Sequence, residues 1–219
     1  MRSSLRDAWT KLVRPEDYET HMAGVGQAQA NAQLVEDYFR VQPPEKDSSI
    51  LFMGAGTGQM FQFISPSFLL PFATTFTDIN PTYLDLLNER LRGVDTLRYV
   101  TAVDDIENSS LSETFSPVIA VLVLEHVDWK KAVATLAKLA KENVLIVVQE
   151  NPPQHATAIN PARRIVGTMN VFVEVHPQLV PRDELVSEFA LYGFVSGYYD
   201  EKSVSDGKKM IALGFRRKK

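Results

Sequence analysis

The residues of this 219-residue chain that can do chemistry stand where its apolar runs stop. Ile50-Leu51-Phe52-Met53 breaks directly into Gly54-Ala55-Gly56-Thr57-Gly58. Glycines at alternate positions let a backbone turn sharply and leave no side chain above it. A flat or charged ligand can lie against such a turn, near the N–H groups that open the segment after it. The next apolar runs stop at Asp78-Ile79, at Asp104-Asp105-Ile106 and at Glu125-His126. Asp78 follows Gly54 by 24 residues, the spacing at which an acid can accept two hydrogen bonds from a ribose diol. It can also cap a helix starting at Asn80. Asp104 or Asp105 can accept from the exocyclic amine of an adenine, and either can equally form a turn.

The elements that must position these residues follow from periodicity. Leu5, Ala8, Trp9, Leu12 and Val13 repeat at helical spacing until Pro15, and Glu16–Met22 can form a second short helix. Gln27–Val41 is a longer helix whose apolar stripe is Ala30, Leu34, Val35, Tyr38 and Phe39. Pro43-Pro44 and the polar stretch to Ser49 form a linker. From Ile50 onward strands and helices alternate. Strands are expected at Ile50–Met53, Ala73–Thr77, Leu97–Val103, Val118–Leu124 and Asn143–Val148. Helices are expected from the glycine turn to Ile64, from Pro81 through Leu91, and over Trp129–Ala140. Asn151–Pro181 is a long, proline-rich connection with room for one helix. A helix from Pro181 to Tyr192-Gly193 precedes two strands, Phe194–Ser203 and Met210–Arg216, joined at Ser205-Asp206-Gly207-Lys208. The pattern predicts an α/β fold, a doubly wound and mostly parallel sheet with an antiparallel C-terminal hairpin strand, plus N-terminal helices. Residues 1–45 are expected to form a helical extension able to act as a lid, and residues 46–219 a Rossmann-like domain.

Composition narrows the function. A net charge of -4 and no basic stripe argue against nucleic acid as a partner. Without cysteine there are no disulfides and no thiolate metal sites, which fits a reducing, cytoplasmic setting. No signal peptide and no apolar run long enough for a membrane span are visible. No histidines stand at i, i+4 and Glu174-His176 is a lone pair, so no metal site is expected. The sequence has no Gly-x-Ser-x-Gly elbow and no Gly-Lys-Ser/Thr after its glycines.

Taken together, Gly54-x-Gly56-x-Gly58, Asp78, Asp104-Asp105-Ile106, the run Val121 to Val127 and the closing hairpin resemble the class I S-adenosylmethionine-dependent methyltransferases. The resemblance spans Ile50 to Arg216 and implies a seven-stranded sheet whose last strand is antiparallel. It implies S-adenosylmethionine as cofactor, with Gly54, Ala55, Gly56 and Gly58 under its methionine and ribose. Asp78 and Ile79 would lie at the ribose, Asp104, Asp105 and Ile106 would frame the adenine, and Leu124 to His126 would border the methyl-transfer site. Tyr18 and His21, in the N-terminal helices, would close over the cofactor. The acceptor would be a small molecule, methylated by in-line displacement. A hydroxyl or protonated amine acceptor is helped by a base. Of the four histidines, His126 and His176 are the candidates for that role; His21 and His155 are the others. Two positions depart from the family pattern: Phe52 stands where an acidic residue often holds the cofactor's amino group, and Ser116-Pro117 opens the fourth strand. Two alternatives remain at this point. One is a nicotinamide-dependent oxidoreductase, although Gln59 occupies the place of its third fingerprint glycine. The other is a methyltransferase-like binding module without turnover.

Overall fold

The computed structural model describes residues 4–152, 167–205 and 207–218. The N-terminal section consists of a single turn α1 (Leu5–Asp7), a π-helical turn Ala8–Leu12, α2 (Pro15–Val25) and α3 (Gln27–Val41). Then follow β1 (Ser49–Met53), two 3-10 turns at Gln59–Gln62 and Pro66–Phe68, β2 (Ala73–Asp78), α4 (Pro81–Leu91), β3 (Arg98–Val103) and β4 (Val118–Val121). A 3-10 turn at Leu124–His126 leads into α5 (Trp129–Leu139) and β5 (Asn143–Glu150). The chain closes with a 3-10 turn at Gly167–Val171, α6 (Phe172–Val175), α7 (Arg182–Leu191), β6 (Phe194–Ser203) and β7 (Lys209–Arg217).

The seven strands form one sheet in the order β3-β2-β1-β4-β5-β7-β6, parallel except for β7, which runs antiparallel to both β5 and β6. The direction of strand order reverses between β1 and β4, and a crevice opens there beyond the carboxyl ends of the strands. Alternating side chains feed two cores. Leu51, Met53, Val118, Ala120, Val144 and Ile146 pack under α5 and α7, while Ile50, Phe52, Ile119, Leu145 and Val147 pack under α3 and α4.

Two expected elements are shorter than their patterns. The segment after the glycine turn is not an α-helix: only the 3-10 turn Gln59–Gln62 forms. Gly58 is left-handed, and Pro66 biases Ser65 away from helical geometry, which leaves too few residues to nucleate a stable helix. Met60 and Phe61 instead pack onto the α3–α4 core. The fourth strand ends at Val121 rather than Leu124, because Leu122 adopts φ 54° and turns the chain upward. Of the connection Asn151–Pro181, residues 153–166 lie outside the described residues. Among the described residues no helix is long and apolar enough to cross a membrane.

Gly58 is fixed by packing as well as by its φ of 76°. A Cβ there would lie 2.3 Å from Leu87 Cδ1 and 3.4 Å from the Leu87 Cα on α4. Gly58→Ala is expected to destabilise the fold by roughly 2 kcal/mol or more, through strain and overpacking together. Urea denaturation of the variant beside the parent measures this.

Candidate active site

The glycine turn is built on left-handed backbone: φ is 68° at Gly54, 59° at Gly56 and 76° at Gly58. A Cβ on Gly54 would lie 2.4 Å from Val123, so the turn also lets the β4 loop approach closely. The Ala55 N–H donates to the Thr77 carbonyl at 2.8 Å, and the Gly56 N–H donates to Asp78 Oδ2 at 2.9 Å. Asp78 Oδ1 accepts from the Asn80 N–H at 2.9 Å. One carboxylate thus ties the end of β2 to the turn after β1 and to the start of α4. Burial pushes the Asp78 carboxyl up, against the opposite pull of the Asn80 and Gly56 N–H groups. Asn80 caps α4 by accepting from the Thr82 N–H at 3.0 Å, and its amide donates to the Trp9 carbonyl at 2.8 Å.

Above the turn lies a cavity of about 240 Å³, roofed by the N-terminal helices. Toward β2 and β3 its wall carries Asp78, Ile79, Asp104, Asp105 and Ile106. Asp104 is a loop former: Oδ2 accepts from the Ser109 hydroxyl, and Oδ1 accepts from both the Ser110 N–H and hydroxyl. Asp105 accepts from the Glu107 N–H at 2.9 Å and pairs with Arg6 of α1. The far wall, beyond β4 and β5, carries Glu125, His126 and Gln149.

The roof is aromatic. Trp9 packs edge-on against Tyr18 (5.6 Å between ring centroids), Tyr83 (6.2 Å) and His126 (4.9 Å), and tilts over Phe172 (4.8 Å). Tyr18 stacks on Tyr83 at 5.7 Å. Polar ties secure the same section: Tyr83 donates to the Val13 carbonyl, Glu19 pairs with Arg90, and Asp17 accepts from the Thr168 N–H and hydroxyl.

Glu125 and His126 sit side by side in different surroundings. Glu125 is 2% exposed; its Oε1 accepts from the Gln149 N–H at 2.7 Å and its Oε2 has no partner. Burial pushes its carboxyl up to about 7. His126 is held between Trp9 and Phe172, its Nδ1 has no partner, and burial pushes the imidazole down to about 4. The group with a proton equilibrium near neutrality is therefore the carboxyl, not the imidazole.

A family described as "Methyltransferase domain" matches residues 22–196, most of the chain. The chain belongs to this methyltransferase family. No curated protein matches its sequence significantly. Among solved structures, magnesium protoporphyrin IX methyltransferase ChlM from Synechocystis PCC 6803, with bound SAH, shares 14% identity at a TM-score of 0.67, covering 88% of this chain and 84% of that one. The N-methyltransferase NodS from Bradyrhizobium japonicum WM9, in complex with S-adenosyl-L-homocysteine, shares 13% identity at a TM-score of 0.62, covering 86% of each chain. A Haemonchus contortus phosphoethanolamine N-methyltransferase 2 structure shares 13% identity at a TM-score of 0.65, covering 85% of this chain and 52% of that one. At these identities the likeness is one of fold.

The methyltransferase fold gathers most of the residues singled out in the sequence. Gly54, Ala55, Gly56, Asp78, Ile79, Asp104, Asp105, Ile106, Tyr18, His21 and His126 all line the one cavity. Three are not brought there. Gly58 packs against α4, Leu124 is fully buried in the core under α5, and His176 is an exposed residue capping α6 in left-handed geometry. His155 lies outside the described residues. Sequence reasoning missed Trp9 and Gln149 as lining residues, and it placed Glu125 only as part of the Leu124 to His126 border. Glu125 was visible as the neighbour of His126, but nothing in a sequence says which of two adjacent titratable groups is buried with a free oxygen. Among the described residues no cluster that could hold a metal ion is present.

The two buried groups act oppositely on stability. Below pH 4.5 Glu125 is protonated whether folded or not; between 4.5 and about 7 the unfolded chain releases its proton first, so native stability falls as pH rises through that window. His126 is neutral when folded down to about pH 4 and charges earlier when unfolded, so its contribution falls as pH drops from 6.5 to 4. Glu125→Gln is therefore expected to gain stability relative to the parent as pH is raised from 4.5 to 7. Thermal melts of the two proteins across that range check it.

Proposed function

We propose that this methyltransferase binds S-adenosylmethionine in the cavity above the glycine turn and methylates a small-molecule acceptor. The observation that carries the reading is the buried Asp78 clamp on the Gly56 N–H beneath an aromatic roof. The residues fit the cofactor: the Gly54 to Gly56 turn lines the cavity, and Asp78 retains lone pairs for a ribose diol. Ile106 and Asp105 would frame the adenine, and Tyr18 and His21 would cover it. When bound, S-adenosylmethionine supplies a methyl group on a positively charged sulfur, already activated for displacement. The chain's own work is then to orient the acceptor, exclude water and manage one proton. Trp9 and Phe172 close the roof over the far wall. Glu125, with a carboxyl poised near 7, is suited to take a proton from a hydroxyl or ammonium acceptor. His126 is a weaker base at its depressed value and serves the wall.

A small acceptor is favoured by the roof that the N-terminal helices place over the cavity, and magnesium protoporphyrin IX and phosphoethanolamine, in the names of two structural neighbours, are small acceptors for those proteins. Membership of the methyltransferase family sets aside the nicotinamide-dependent oxidoreductase.

Calorimetry with S-adenosylhomocysteine tests the reading. The parent is expected to bind, and Asp78→Ala to lose affinity at least tenfold; an absence of heat with the parent at millimolar ligand overturns it. In a turnover assay with S-adenosylmethionine and a panel of small amines and phenols, Glu125→Gln is expected to keep binding within threefold and to slow transfer about 100-fold. The rise of the parent rate through pH 7 should vanish in that variant.

A further inference from the structure

The cofactor reading leaves one end of the ligand without a partner on the strand that leads to it. S-adenosylmethionine ends in an α-ammonium and an α-carboxylate, and a buried charge must find a hydrogen-bonding partner. Phe52, the residue of β1 nearest the glycine turn on the α3 side, offers none. It is 2% exposed and packed by Phe61 at 5.0 Å and Phe76 at 5.4 Å between ring centroids. Its sheet neighbours at the same level are Ile119 and Leu145, also apolar.

The helix packed over this face does carry a polar group. Asn31 is 4% exposed, lines the same cavity as Gly54 and Gly56, and its Oδ1 has no hydrogen-bond partner. A buried amide oxygen left unpaired in the middle of a helix is costly unless something satisfies it. Its position is informative. Gln27, one turn earlier on the same face of α3, donates to Gln149 Oε1 at 3.2 Å. Gln149 stands four residues beyond Leu145, roughly 13 Å above the level of Phe52. Because α3 descends from Gln27 toward the start of β1, Asn31 lies below Gln149 and nearer the glycine turn. Gln27 is committed to Gln149; Gln59 Oε1 is also unpaired, but its amide nitrogen donates to the Glu19 carbonyl and ties that side chain to α2, whereas Asn31 makes no side-chain bond.

We infer that the Asn31 carboxamide, presented from α3, accepts a hydrogen bond from the α-ammonium of the cofactor and so does from the helix what Phe52 does not do from the strand. The assignment rests on the cofactor reading above.

Two ligands separate the assignment from that reading. S-adenosylhomocysteine carries the amino-acid end; 5′-methylthioadenosine has the same adenosine and thioether without it. By calorimetry, Asn31→Ala is expected to weaken S-adenosylhomocysteine about tenfold or more and to leave 5′-methylthioadenosine within twofold. Asn31→Asp, which keeps an acceptor and adds negative charge, should retain S-adenosylhomocysteine affinity within threefold or improve it. Asn31→Leu, close in volume, serves if the alanine variant does not fold and should match its expected losses. Equal losses for both ligands would mean a packing role, and unchanged S-adenosylhomocysteine affinity in the apolar variants would mean no contact; either overturns the assignment alone. If the parent binds neither ligand, the cofactor reading falls and the assignment with it.

Discussion

The structure depends on a stretch of backbone that must be left-handed three times in five residues and be held there by one carboxylate. Only glycine adopts those angles without strain, and each of the three glycines meets a different demand. Gly54 admits Val123 from the β4 loop, Gly56 offers its N–H to Asp78 beneath Tyr18, and Gly58 lets α4 pack down. The result is a shelf of bare backbone at the point where strand order reverses. On the proposed cofactor reading, adenosine-side groups come from β2 and β3, and acceptor-side groups from β4 and β5. Asp78 joins these demands, because the same carboxylate that fixes the turn also fixes the first N–H groups of the α4 connection.

The N-terminal helices complete the site rather than decorate it. Trp9 touches Tyr18, Tyr83, His126 and Phe172, so one indole connects α2, α4, the β4 loop and α6. Aromatic pairs of this kind contribute about 0.5–1.5 kcal/mol each beyond the area they bury. They also keep water from the far wall, which is what lifts the Glu125 carboxyl and depresses the His126 imidazole. Roof and proton chemistry are therefore one feature: exposing the wall would return both groups toward their ordinary values.

Much of this was legible in the sequence, and the exceptions have physical causes. Apolar runs that stop at Gly54, Asp78, Asp104 and Glu125 revealed parallel strands whose ends line one cavity. Ser205 to Lys208 between two strand patterns revealed the antiparallel closure. What failed was what depends on three-dimensional neighbours. The helix expected after the glycines lost to aromatic packing at Phe61 and to Pro66. Gly58 looked like a ligand glycine, but its constraint is Leu87. His176 looked like a base because histidine is rare here, yet it ends exposed on a short helix. The free oxygens of Glu125 and Asn31 carry no sequence signal, since an unpaired buried oxygen is a property of the fold.

The central claim is that the shelf from Gly54 to Gly58, fixed by Asp78, is where the adenosyl cofactor lies. A crystal structure of the protein with S-adenosylhomocysteine tests it most directly. The account predicts the thioether over Gly54 to Gly56, the ribose at Asp78 and the adenine beside Ile106, under Trp9 and Tyr18. Ligand bound elsewhere on the molecule, with the Asp78 carboxylate untouched, would contradict it.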